Sequence, residues 1–333
     1  MFKKYLLALC LAPLLAAAVV TALLTQPVFR STQVSSPAVD PTVLETYVRV
    51  LSETLHPRCY DYLENLQAAV QYIERHFVAA GGRTQVQKFS VNGLEYNNVI
   101  AEFGPKDGPV LIVGAHYDSE CDVQRDDARY TPGADDNASG VAALLALADL
   151  LSRHPPAKRV QLVAYCLEEP PFFGTDKMGS AAHAALLNRD RVPVIGMIAL
   201  EMIGYFSDAP GSQSYPAEVI GLLYPDRGNF IAVVGGFQDI PLTRKVKAAM
   251  LGASDLPVYS INAPPFVPGI DFSDHLNYWQ YGHEAVMITD TAFYRNFNYH
   301  KEEDTADTLD YKRMVKVIQG VFAAVMALAD AGT

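Results

Sequence analysis

The stretch QLVAYCLEEPPFFG, residues 161–174, closes an apolar run with two adjacent glutamates, Glu168 and Glu169, and then two prolines. Val160 to Leu167 has the length and the share of β-forming residues of a buried strand. Pro170 and Pro171 can continue neither a ladder nor a helix. Both carboxylates are therefore expected at a strand's C-terminal edge. One glutamate at such an edge is ordinarily solvated, because carboxylates are seldom buried unless something pairs with them. The other strands decide whether this edge is more than that.

Three further apolar runs stand out: PVLIVGAH (109–116), VPVIGMIALE (192–201) and EAVMITD (284–290). Helical stretches separate several of them, at 141–152, roughly 177–187 and 241–251, and a last helix is expected at 311–329. Before the first run, Asp40 and Pro41 resemble an N-cap and a first helical turn. Leu63, Leu66, Val70, Ile73 and Phe77 then mark a helix ending at Gly81-Gly82. Hydrophobicity that is continuous rather than alternating predicts strands covered on both faces. The expected fold is α/β, a mostly parallel central sheet with helices on both faces, in a single globular domain over 41–333.

The chain has 333 residues, half of them apolar, which suffices for one domain with a sizeable core. Its net charge of -11 and lack of a Lys/Arg cluster argue against a nucleic-acid partner. The N-terminus, MFKK followed by an apolar segment from Tyr5 to Leu24, reads as a signal peptide or a signal anchor over 1–26. Either way the lysines stay cytoplasmic and the domain lies outside. Residues 27–40 read as a linker. Of four cysteines, Cys10 lies in the apolar segment and Cys166 in the buried strand, leaving Cys59 with Cys121 as the pair an oxidising compartment would join; free thiols throughout are the alternative.

Three of the four runs end in a potential metal ligand: His116, Glu168-Glu169 and Glu201. Open α/β sheets bind ligands beyond the carboxyl ends of their strands, so separate strands would deliver these groups to one place. TPGADDNASG (131–140) adds Asp135 and Asp136, and YHKEEDTADT adds His300. Singly, each is weak, since a lone histidine is more often a satisfied side chain and ADDN more often a capped turn. Together, imidazoles and carboxylates make a ligand set that suits zinc, and five or six such groups exceed one tetrahedral site. Two metals are implied. No G-x-S-x-G elbow or P-loop lysine supports a serine hydrolase or a nucleotide enzyme.

GAHYDS, PGADDNASG, LEEPPFFGTDKMGS, ALEMIGY, FSDH and NYHKEEDT, in this order and spacing, resemble the co-catalytic di-zinc aminopeptidases, relatives of glutamate carboxypeptidase, transferrin receptor and glutaminyl cyclase. The resemblance covers about residues 60–330. It implies two Zn2+ ions held by His116, Asp136, Glu169, Glu201 and His300, with Asp136 bridging and the Asp136-Asn137 bond in cis. It implies Glu168 as general base and Asp118 as the group orienting His116. Glu201 replaces the aspartate that many members carry. Tyr299 matches a tyrosine that in some relatives binds the developing oxyanion, and it can equally be a packing aromatic. The function implied is that of an exported aminopeptidase acting on peptides with a free N-terminus. Alternatives are a single-zinc glutaminyl cyclase, a carboxypeptidase using Arg295 for the terminal carboxylate, and a binding protein on an inactive peptidase scaffold.

Overall fold

The computed structural model describes residues 15–28, 36–122 and 129–330. Of the expected N-terminal segment, residues 1–14 lie outside these; among the described residues α1 covers 15–25, and no helix there is long and apolar enough to cross a membrane. The following elements are α2 (Pro41–Arg49), α3 (Leu63–Ala79), β1 (Arg83–Val91), β2 (Leu94–Phe103), β3 (Val110–His116), the two-residue strands β4 (Cys121–Asp122) and β5 (Arg129–Tyr130), α4 (Gly140–Arg153) and β6 (Arg159–Tyr165). Then come α5 (Gly179–Arg189), β7 (Val194–Glu201), α6 (Glu218–Gly221), β8 (Ile231–Gly235), α7 (Ile240–Ala253), β9 (Val258–Asn262), α8 (Leu276–Trp279), β10 (Ala285–Thr289) and α9 (Tyr311–Asp330).

Eight strands form one sheet in the order β1-β2-β6-β3-β7-β10-β8-β9. The middle four, β6, β3, β7 and β10, are parallel. Their apolar runs are continuous because both faces are covered. Leu111, Val113 and Ala115 of β3 enter one core with helices α3, α4, α7 and α9, while Val110 and Ile112 enter a second core with α5 and α8. All seven residues of β3 are buried.

The edges depart from the expectation. β1 and β2 form an antiparallel hairpin, and β2 joins β6 antiparallel. Its two-residue turn is Asn92-Gly93, with φ of 52° and 84°, the left-handed backbone that Asn and Gly accept most readily. At the other edge β8 runs antiparallel to β10. The last two residues of the expected signal or anchor segment, Thr25 and Gln26, dock on α7 and β9. The Thr25 carbonyl accepts from Lys247 Nζ (2.8 Å) and Ser260 Oγ (2.7 Å), and Arg244 Nε donates to Gln26 Oε1. Cys59 and Cys121 are joined in a disulfide, and Cys166 is free and buried.

Candidate metal centre

Parallel strands point their carboxyl ends the same way, and register sets those ends level. Gly114 of β3 is opposite Ala199 of β7, so His116 and Glu201, two residues further along each strand, finish side by side. On the other flank His116 pairs with Tyr165, the last residue of β6. Glu168 and Glu169 thus stand beyond the strand proper, in the loop after it. The two carboxylate oxygens of Asp118 accept from the Glu168 and Glu169 backbone N–H groups at 3.3 and 3.1 Å and hold that loop. His116 Nδ1 bonds the main-chain oxygen of Asp118 at 3.1 Å, with the carboxylate at 3.6 Å. Asp118 therefore orients the imidazole through its carbonyl, while its carboxylate supports the glutamates.

The loop from β3 to α4 chooses between the two aspartates. Asp135 faces inward: its side chain accepts from Gly204 N and Asn296 Nδ2. Asp136 faces the cleft, and its peptide bond to Asn137 is cis. Asp304 clamps the loop by accepting from both the Asp135 and Asp136 N–H groups at 3.0 Å. Asn137 carries the support across to β7, donating to Leu200 O and accepting from Met202 N.

Two groups of donors result. His116, Asp136 and Glu201 form one, and Glu120, Glu169 and His300 the other, the ligand atoms of each lying within 4.8 Å of one another. Asp136 stands between them: Oδ1 is 3.3 Å from His116 Nε2, and Oδ2 is 3.2 Å from His300 Nε2. Glu201 Oε2 is 3.4 Å from His116 Nε2 and is fixed by Ser273 Oγ, and Glu169 Oε2 is 3.2 Å from His300 Nε2. Glu168 Oε2 is 3.8 Å from His116 Nε2 and lines the cleft. Tyr299 lines it too, its ring stacked on His300 with centroids 3.8 Å apart.

Burial pushes the carboxyls of Glu168, Glu169 and Glu201 upward, Glu169 to about 8 with Asp136 adding repulsion. Burial also opposes charge on Asp136, yet the adjacent His116 and His300 imidazoles hold it below the usual carboxylate range. His300 is disfavoured as a cation by burial but raised to about 12 by Glu169 and Asp136. Buried carboxylates crowded together in this way hold protons that a metal ion would displace. His116 Nε2, Glu169 Oε1 and Glu120 Oε2 are buried without a hydrogen-bond partner among the described residues. Orphaned donor atoms of the nitrogen and oxygen type, converging from separate loops, fit zinc.

Residues 98–325 match Peptidase family M28. The chain belongs to that family. It is 58% identical over 281 residues to the uncharacterized protein YfbL of Escherichia coli K12, covering 84% of this chain and 86% of YfbL. Leucine aminopeptidase 1 of Ajellomyces capsulatus is 25% identical over 254 residues, 74% of this chain and 60% of that protein. BSAP, a zinc aminopeptidase from Bacillus subtilis, superposes with a TM-score of 0.68 at 14% identity, covering 86% of this chain and 95% of BSAP. Glutaminyl cyclases share the fold as well. As an M28 peptidase the protein is a zinc metallopeptidase.

Five expected ligands and Glu168 thus gather in one place. Arg295 does not join them. It is 1% exposed, lies over Phe230, and donates to Gln213 Oε1 and the Phe230 carbonyl. Sequence reasoning missed Glu120, Asp304 and Arg58. Arg58 is fully buried and donates to the carbonyls of Leu51, Tyr117, Pro132 and Gly133. No spacing rule marks such an arginine, because its partners are main-chain atoms.

Proposed function

We propose that this M28 peptidase is an exported aminopeptidase working with two zinc ions and with Glu168 as general base. The observation that carries the reading is the placement of Asp136, which offers one carboxylate oxygen to each donor group while Glu168 faces the same cleft. His116, Asp136 and Glu201 would hold one ion, and Asp136, Glu169 and His300 the other. Bound zinc supplies polarisation of the scissile carbonyl and a lowered pKa for water. Glu168, made more basic by burial, accepts the water's proton and returns it to the leaving amine. Tyr299 is positioned by its stack on His300 to close one wall over the substrate carbonyl.

The cleft opens past Glu201, Phe272 and Phe293 into an apolar cavity lined by Phe230, Met287 and Tyr294. The hydroxyls of Tyr215 and Tyr224 in its wall are taken by the carbonyls of Pro225 and Ser260. Such a wall suits an apolar side chain at the substrate's N-terminus. The carboxylates around the zinc positions suit its free ammonium. A carboxypeptidase lacks support, since Arg295 is buried in other contacts. A single-zinc cyclase would leave the second donor group without a purpose, and an inactive scaffold would be expected to lose ligands or base, none of which is lost.

A zinc-loaded preparation should cleave a leucyl anilide and lose at least about 100-fold in kcat/KM when the amine is acetylated, because buried carboxylates would then face an uncharged group. Equal cleavage of the two would reject the aminopeptidase reading. Cyclisation of an N-terminal glutamine peptide to pyroglutamate would favour the cyclase. Export is supported by the apolar N-terminal segment and the Cys59–Cys121 disulfide. A reporter that works only in the cytoplasm, fused after Thr333, should be silent; strong signal from it would refute export.

A further inference from the structure

Glu120 belongs to no motif used above, yet a carboxylate oxygen of Glu120 lies within 4.8 Å of the donor atoms of Glu169 and His300. Its Oε2 is buried and without a hydrogen-bond partner among the described residues, as is Oε1 of the 4% exposed Glu169. Unlike Asp136, Glu168, Glu169 and Glu201, it is not among the described residues that line the cleft. Its backbone is held on both sides. Ser119 N donates to Arg58 O, Thr131 donates to Glu120 O through both N and Oγ1, and the next residue, Cys121, is bonded to Cys59.

We propose that Glu120 is a further ligand of the zinc ion held by Asp136, Glu169 and His300, and that the Cys59–Cys121 disulfide braces it there. The inference rests on the two-zinc reading of the site. Chemistry favours it: three protein ligands leave a zinc site open, and a carboxylate is an ordinary zinc ligand. With Glu120 the carboxylates of the ligand set number four, Asp136, Glu169, Glu201 and Glu120, and their charges balance those of two dications. The brace has a physical purpose as well, since a ligand whose backbone is fixed has little entropy left to lose on binding.

The test measures zinc stoichiometry by mass spectrometry and zinc affinity by competition with a chromogenic chelator. The wild type, Glu120→Gln, Cys59→Ser/Cys121→Ser and the combined triple variant are compared. The wild type should hold two ions. Glu120→Gln, close in shape and charge-neutral, should keep one ion at wild-type affinity and weaken the other by about 10- to 100-fold. The cysteine variant should weaken the same ion, and adding Glu120→Gln to it should weaken it by less than Glu120→Gln does alone, because the two changes act on one contact. Wild-type affinity for both ions in Glu120→Gln would overturn the proposal. So would unchanged zinc with a raised KM for free-amine substrates, which would make Glu120 a substrate contact. A single ion in the wild type would instead bring down the two-zinc reading on which the proposal stands.

Discussion

Glu168 and Glu169 are neighbours in the chain with different surroundings. Glu169 reaches His300 at 3.2 Å, whereas Glu168 stands 3.8 Å from His116 and lines the cleft. Glu169→Ala should therefore lower bound zinc, because it removes a carboxylate whose charge offsets the metal's. Glu168→Gln should keep near-normal zinc and lose about 100- to 10,000-fold in kcat, since the amide copies the shape but cannot take a proton. Zinc analysis and turnover on purified variants check both, and full turnover in Glu168→Gln would remove the base. These positions were legible because each stands at or just past the end of an apolar run, where the sequence shows residue type and place at once. Glu120 was not legible. It sits four residues past His116 in a loop, and the disulfide, the Ser119–Arg58 bond and the Thr131 bonds hold its backbone. The role of Asp118 was half legible, as its nearness to His116 follows from spacing but the choice between carbonyl and carboxylate does not.

Elements bring the loops together, and Arg58 joins three of them: the turn directly after α2, the turn after β3, and the Pro132-Gly133 approach to Asp136. Burial lowers its pKa to about 10, opposed by the charges of Asp118, Asp304 and Asp136, so it remains a cation at neutral pH. Arg58→Met would leave several buried carbonyls without donors at about 1–3 kcal/mol for each that water cannot reach. The expected loss is roughly 3 kcal/mol or more in urea unfolding of the metal-free protein, together with weaker zinc retention. A change below about 0.5 kcal/mol would show that water replaces the guanidinium. At this scale the middle of the sheet was readable and its edges were not. β3, β6 and β7 are buried on both faces and so almost continuously apolar, while β1 is partly buried or exposed along all but its last residue. The Asn92-Gly93 turn is itself a hairpin signal in the sequence, and it marks where the parallel pattern stops.

The whole molecule is closed around its acidic centre. The proposed ligands come from β3, the loop entering α4, the loop after β6, the end of β7 and the segment before α9, so bound zinc would tie together parts of the fold that are distant in sequence. Without the ion, His300 has its pKa raised to about 12 and Glu169 to about 8. Between about 6.5 and 12 the folded chain keeps a proton on His300 that the unfolded chain has lost, and between about 4.5 and 8 it keeps one on Glu169. In both windows the folded state binds more protons, so the stability of the metal-free protein falls as pH rises. Zinc acts in the opposite sense. It must displace those protons, so its affinity grows with pH, and a ligand at 100 times its Kd stabilises by about 2.7 kcal/mol. The Tm difference between zinc-loaded and chelator-treated protein should therefore widen from pH 6 to pH 8, reaching about 5 °C or more at the upper end. Calorimetry in buffers of differing ionisation enthalpy should show proton release on zinc uptake at pH 7. A gap that narrows with pH, or uptake without proton release, would mean that the buried groups are not protonated in the metal-free fold, and the electrostatic account of the centre would fail.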